Sequence, residues 1–172
     1  TASNGNKLQI KQTLKYAKAL ATAQRAKNKQ RVKAIHAKIK HTRQDLIHKF
    51  TTQLVKDNAL IVVGDIQSNQ FNSKKGKLAK SVYDAGWFEL KRQLTYKCEN
   101  AGCRFEIVNE KYTTQTCSCC GDMSSSLSGR AGLRIREWTC ATCGTWHDRD
   151  INAAKNILAV GLDRLVEGIP LL

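Results

Sequence analysis

Four cysteines in two Cys-x-x-Cys pairs, Cys117 with Cys120 and Cys140 with Cys143, carry the clearest chemistry in this 172-residue chain. Nineteen residues, positions 121 to 139, separate the pairs, and a glycine follows each of them, Gly121 and Gly144. That spacing fits a four-thiolate zinc ribbon, with each glycine where the chain curls tightly and backbone N–H groups approach the sulfurs. Four thiolates fill a tetrahedral zinc shell, so such an ion is structural and activates no water. The alternative is two disulfides or four unrelated buried cysteines. Cys119 lies inside the first knuckle but out of register, because only Cys117 and Cys120 leave the two-residue gap.

Two carboxylates flank the ribbon. Glu110 precedes Cys117 by seven residues (117 − 110), and Asp150 follows Cys143 by seven (150 − 143). Glu110 ends a stretch, Arg104 to Asn109, that alternates as a strand does, and Asp150 heads an apolar helix. A ribbon returns its two ends close together. A strand-end acid and a helix-start acid can therefore meet at one divalent metal suited to phosphodiester hydrolysis. The structural alternatives are an exposed strand-end acid for Glu110 and a helix N-cap for Asp150, with Asp148 a second candidate for the cap.

The run Tyr112-Thr113-Thr114-Gln115-Thr116-Cys117-Ser118-Cys119-Cys120-Gly121, the second pair with Gly144, and Asp148-Arg149-Asp150-Ile151-Asn152-Ala153-Ala154-Lys155-Asn156-Ile157 resemble the C-terminal region of TnpB. TnpB is the OrfB-type protein of bacterial insertion sequences, long described as a transposase. It is related to the compact type V CRISPR nucleases and to the eukaryotic Fanzor proteins. The resemblance implies an α/β chain: a partial RNase H-like (RuvC-like) fold with N-terminal basic helices and an inserted zinc ribbon. It also implies a metal-dependent DNA endonuclease guided by RNA, with DNA and guide RNA as partners, structural zinc, and catalytic Mg2+. Asp150 matches the family's third catalytic Asp. The family commonly has Glu-Asp where this chain has Gly64-Asp65. Gly64 offers no ligand, and Asp65 points to the opposite strand face. Glu110 is the candidate replacement, because Asn109-Glu110-Lys111-Tyr112-Thr113 resembles relatives with a relocated glutamate. The first catalytic Asp of the family lies upstream of the region where this chain starts.

The elements that must position these residues follow from pattern and charge. The net charge is +15, from 29 Lys+Arg against 14 Asp+Glu, which favours a polyanionic partner. From Lys7 to Lys56 fourteen Lys and Arg face one acid, Asp45. Apolar residues at 3–4 spacing make this region helical, and Lys27-Asn28-Lys29-Gln30 predicts a bend into two helices. Lys27, Lys29 and Arg31, with Lys74 and Lys75 of the polar loop 67–77 and Arg130 of the ribbon's inner loop, are candidate phosphate contacts. A solvated helix face and a plain loop are the alternatives. Arg43-Gln44-Asp45-Leu46-Ile47-His48-Lys49 resembles a family stretch, yet His48, like His36 and His41, reads as a helix histidine packing or hydrogen-bonding near the sheet.

Ala59 to Ile66 reads as a buried strand. Ser81 to Lys97 reads as a helix to which Val82, Trp87, Phe88, Leu90, Leu94 and Tyr96 supply apolar surface, with Trp87 a core residue more than a base-stacking platform and Cys98 and Cys103 bracketing the turn after it. Trp138 and Trp146 are expected around the knuckles. The last helix is expected from about Ile151 to Ala159, and beyond Gly161 the weakly patterned tail, Leu162 to Leu172, is expected to be a short helix or a disordered end. The domains expected are a basic helical region (1–58), a nuclease portion (59–111 and 148–161), the ribbon (112–147) and a tail (162–172).

No run is apolar enough to span a bilayer and no signal peptide is visible. Seven cysteines, four in zinc spacing, suit a reducing cytoplasm, and the resemblance implies bacterial, nucleoid-associated localisation. Thr1 to Asn6 reads as a hairpin turn entered from a strand that is not present. Only two strands are convincing, too few for a stable open sheet. The chain is therefore expected to be a fragment or truncated product, inactive or partial by itself. The alternative function is a non-catalytic zinc-ribbon protein that binds nucleic acid.

Overall fold

The computed structural model describes residues 1–8, 12–65, 86–132 and 134–167. Two compact units make up the chain: Leu8–Ala59 with Gln67–Arg104, and Thr1–Lys7 with Leu60–Ile66 and Phe105–Leu172.

The first unit is helical, with α1 Gln12–Arg25, α2 Lys29–Asp57 and α3 Trp87–Ala101. The predicted bend is present, and its chemistry is local. Lys27 takes a left-handed φ of 50°, its N–H reaches Gln24 O (3.0 Å), and Asn28 N reaches Ala23 O (3.0 Å). These bonds close α1. Asn28 then caps α2 by accepting Arg31 N at 2.9 Å. Between α2 and α3 lie buried Ile47, Leu94 and Cys98 together with polar Thr51 and Gln93. Lys97 Nζ satisfies this polar pair and its surroundings, donating to Thr51 Oγ1 (2.6 Å), Thr52 Oγ1 (2.8 Å) and the His48 carbonyl (2.8 Å). Burial pulls the Lys97 ammonium below its ordinary pKa. Gly86, at φ 64°, begins α3 where Ile47 Cδ1 would stand 2.7 Å from any Cβ.

Three expectations change here. The side chains of His36, His41 and His48 are exposed, so none packs, and His48 bonds through its backbone carbonyl. Phe88 is 77% exposed at the start of α3, outside the core. The helix also runs on to Ala101, which puts Cys98 in its last turn, and Gly102 ends it at φ 67°. The loop 67–77 with Lys74 and Lys75, and the expected helix start at Ser81, lie outside the described residues.

The second unit begins with the expected hairpin turn, in which Gly5 N donates to Ala2 O (2.9 Å) and Ala2 N to Asn6 O (2.8 Å). Strands β1 Leu60–Gly64 and β2 Arg104–Val108 pair in a two-stranded sheet. Their flanking bonds, Arg104 N to Ala59 O (2.9 Å) and Asp65 N to Val108 O (2.7 Å), advance together along both chains, so the pair is parallel. The unbroken apolar run of β1 matches a strand covered on its face. Helix α5, Arg149–Glu167, covers it. A Cβ on Gly161 would fall inside the Val62 side chain. Gly161 is thus a close-packing glycine within α5, which extends past the expected Ala159 to Glu167. Residues 168–172 of the expected tail lie outside the described residues.

The ribbon adds α4, a single turn at Gly129–Gly132, and an antiparallel pair, β3 Glu137–Thr139 with β4 Trp146–Asp148, in which Trp138 faces His147. Its small core holds Cys117, Leu127, Trp138 and Cys140, with Ile135 against them. Trp138 is buried as expected, but Trp146 is 59% exposed, because strand alternation turns it to the opposite face from His147. No helix among the described residues is long and apolar enough to cross a membrane.

Candidate metal centre and flanking acids

The two knuckles are built alike. Gly121 N donates to Cys117 O and Gly144 N to Cys140 O, both at 2.9 Å. Cys117 N donates to Asp122 O (2.8 Å) and Cys140 N to Thr145 O (2.9 Å). Gly121 (φ 78°) and Gly144 (φ 70°) have open space at Cβ, so backbone conformation and not crowding calls for glycine. The four sulfurs lie within 4.8 Å of one another. Cys117 and Cys143 sulfurs stand 3.7 Å apart, as do those of Cys120 and Cys140. Tetrahedral Zn–S bonds of about 2.3 Å place sulfurs about 3.8 Å apart, whereas a disulfide needs about 2.05 Å. All seven cysteines are free thiols, so the disulfide alternative falls away. The cluster can hold a metal ion. Cys119 is exposed and outside it.

The thiols are unequal. Hydrogen bonds from the Thr145 side chain and backbone bring Cys143 down to about 6, so it is a thiolate at neutral pH. The Asp122 N–H favours the Cys120 thiolate, but burial and the neighbouring sulfurs outweigh it and push that thiol up to about 12. Burial also raises Cys117.

The segment after the second knuckle is used residue by residue. Asp148 Oδ1 accepts Asp150 N (2.9 Å) and Ile151 N (3.0 Å), so Asp148 is the cap of α5. The Ile151 N–H, with Lys7 beside it, holds the Asp148 carboxyl below its ordinary pKa. Buried Arg149 donates to the Gly132 carbonyl and to Thr114 Oγ1 (3.5 Å). Asn152 Nδ2 and Asn156 Nδ2 both reach Thr116 O, each at 2.7 Å, and both reach Thr113 O, at 3.3 and 2.8 Å. Asn152 Oδ1 accepts Ser118 N at 2.9 Å. The two asparagines therefore staple the entry to the first knuckle onto α5. The Asp150 side chain takes no part in this framework. Its carboxylate is 46% exposed and faces Arg136 Nη1 at 3.7 Å. The sequence reading missed the two asparagines, although polar residues at i and i+4 on the apolar side of a helix were the available signal. It also assigned no role to His147, which is buried with Nε2 3.1 Å from Cys117 Sγ.

Glu110 follows β2 by two residues, and its carbonyl is fixed by Thr113 Oγ1 (2.8 Å) and Thr113 N (3.2 Å). Its side chain crosses to β1. A Cβ built on Gly64 would stand 2.5 Å from Glu110 Oε2, 3.0 Å from Glu110 Cβ and 3.2 Å from Ile157 Cδ1. The Glu110 carboxylate thus occupies the volume that a side chain at 64 would enter. Gly64 ends β1 and Glu110 follows β2, while Asp150 begins the helix that covers β1. Glu110 thus lies at the carboxyl-end edge of the parallel pair, the usual ligand side of such sheets. Among the described residues the two acids do not gather with a third metal-ligating group, and the four cysteines form the one such cluster.

Of the cationic candidates, Lys27, Lys29 and Arg31 are exposed around the α1–α2 turn. A groove beside it is lined by Lys15, Lys18, Thr22, Ala23, Asn28 and Arg31. Arg130 falls in α4.

Comparison with known proteins places this architecture. Residues 87–157 match the family described as Cas12f1-like, TNB domain, and residues 3–74 match one described as "Probable transposase". The chain is 40% identical over 146 residues to a Streptomyces pristinaespiralis protein named "Putative RNA-guided DNA endonuclease", covering 84% of this chain and 35% of that one. It is 33% identical over 149 residues to Escherichia coli (strain K12) InsQ, similarly named, covering 78% and 36%. The fold resembles Cas12f1 in the cryo-EM structure of the Cas12f1-sgRNA-target DNA complex, with a TM-score of 0.65 at 17% identity over 87% of this chain and 42% of that one. Both matched segments thus fall among proteins named as transposases and RNA-guided DNA endonucleases. The chain belongs to the TnpB (OrfB-type) family, and it spans about a third of the length of the curated relatives it matches.

Proposed function

We propose that this chain is the ribbon-bearing portion of a RuvC-like nuclease of RNase H fold, guided by RNA to DNA, in which Glu110 and Asp150 are metal ligands. The observation that carries the reading is the Glu110 carboxylate over Gly64, where family members commonly supply a glutamate from β1. Asp150 is available for the same task because Asp148 does the capping. Mg2+ held by such acids would activate water and stabilise the leaving oxygen. The residues themselves do simpler work: Glu110 and Asp150 supply oxygens at one sheet edge, and Asn152 and Asn156 keep the segment between them in register. The cysteines hold structural Zn2+, for which thiolate donors at these separations are suited.

The helical unit supplies phosphate contacts. Lys29 and Arg31 stand in the first turn of α2, which has no acid. Cations at the positive end of a helix dipole repel it, and a polyanion relieves that cost. Lys27, Lys74, Lys75 and Arg130 belong to the same set of proposed contacts. Base pairing with a guide RNA would supply most of the sequence specificity. The absence of a third acid beside Glu110 and Asp150 among the described residues favours a second reading for the chain alone, a zinc-ribbon protein that binds nucleic acid without cutting it.

The test is cleavage by the full-length protein with its RNA. Glu110→Gln and Asp150→Asn should each abolish cutting and leave DNA binding nearly intact, while normal cutting by both would refute the site.

A further inference from the structure

We infer that His147 is a positioning residue of the metal centre: it donates Nε2–H to the Cys117 sulfur, fixing that ligand and drawing negative charge from it. The inference rests on the zinc reading above. Nε2 lies 3.1 Å from Cys117 Sγ, and both side chains are buried. The ring is held from a second side by Trp138, its partner across the β3–β4 pair, at 4.7 Å between centroids and 35° between planes.

His147 stands outside the ligand set itself. The ligating atoms that lie within 4.8 Å of one another are the four sulfurs alone. A ring nitrogen at this distance from a sulfur, in a buried site, acts as donor to a thiolate, and such outer-shell bonds orient a ligand and set its basicity. The arrangement is uneven around the cluster. Cys117 has His147, and Cys143 has Thr145 Oγ1 at 3.2 Å. Cys120 and Cys140 have no side-chain nitrogen or oxygen partner among the described residues. Cys117 is also buried, in the ribbon core with Leu127, Trp138 and Cys140. A thiolate there gains little from water, so the imidazole N–H supplies the stabilisation that solvent gives to exposed Cys143.

The test compares the wild-type chain with His147→Phe, which keeps a ring on Trp138 but no donor, and His147→Gln, which restores a side-chain N–H. Zinc affinity is read by chelator competition, and the sulfur-to-metal charge-transfer band is read after Co2+ substitution. We expect His147→Phe to bind zinc about ten- to a hundredfold more weakly and to shift the band, with His147→Gln recovering most of both. Wild-type affinity and spectrum in His147→Phe would overturn the inference. So would a wild-type Co2+ spectrum of three sulfurs and one nitrogen, which would make His147 a ligand. A wild-type chain that binds no zinc would remove the zinc reading itself, an outcome distinct from a zinc site indifferent to His147.

Discussion

Gly64 and Glu110 are complementary: Glu110 Oε2 lies 2.5 Å from where a Cβ at position 64 would be. The missing side chain on one strand is the room for the carboxylate that follows the other. Gly64→Ala should therefore displace Glu110 and Ile157 and cost about 1–3 kcal/mol of stability by overpacking, measurable by urea unfolding. In a cleavage-competent protein it should also lower activity. The double change Gly64→Glu with Glu110→Ala should restore more activity than either single change, because it returns the acid to β1 and clears its path.

Asn152 and Asn156 share their two carbonyl partners, but only Asn152 also binds Ser118 N. Asn152→Ala leaves the part-buried Ser118 N–H unmet and should cost about 1–2 kcal/mol. Asn156→Ala should cost less, since Asn152 still serves both carbonyls. Thermal unfolding of the two variants checks the order. Equal losses would mean that the Ser118 bond contributes nothing.

Asp148→Ala removes the cap of α5 and should destabilise the chain by about 1 kcal/mol near neutral pH. The sign of the pH dependence follows from its lowered folded-state pKa. A carboxyl held down by the fold stabilises above its unfolded value, and that contribution is lost as pH falls through the folded value. The gap between wild type and Asp148→Ala should narrow in that acid range and stay constant above it. Unfolding midpoints from neutral pH downward give the measurement.

Metal binding to the cysteine cluster should release protons and strengthen as pH rises. Cys120, pushed up to about 12, and the raised Cys117 thiol must be deprotonated, whereas Cys143, at about 6, already is near neutrality. Calorimetry in two buffers of different ionisation enthalpy counts those protons. Cys120→Ser should abolish tight zinc binding. Cys119→Ser should leave it unchanged, since Cys119 lies outside the cluster.

What could be read in advance was what local pattern encodes. The paired cysteines and their glycines gave the knuckles, and the apolar run Leu60–Gly64 gave β1. The Lys27–Gln30 cluster gave the bend, and the structure adds that Asn28 is the cap of the helix after it. What could not be read was set by packing between distant segments. The length of α5 was underestimated because the partner that Gly161 packs against, Val62, is far away in sequence. Phe88, Trp146 and His48 carry side chains that suit a core, yet their position on an element faces them outward. His147 sits in a legible motif, but its hydrogen bond to Cys117 depends on the β3–β4 register. The absence of a ligand at Gly64 pointed to Glu110, while the contact between them needed the parallel pairing of β1 and β2.

The central claim is that Glu110 and Asp150 serve one divalent metal. The most direct measurement is metal rescue in the full-length protein with its RNA: cleavage by Asp150→Cys and by Glu110→Cys, assayed in Mg2+ and again with Mn2+ or Cd2+. Neither variant should cut in Mg2+, and both should recover in part with the thiophilic ions, because a thiolate replaces an oxygen ligand. Full activity of either variant in Mg2+ would contradict the claim.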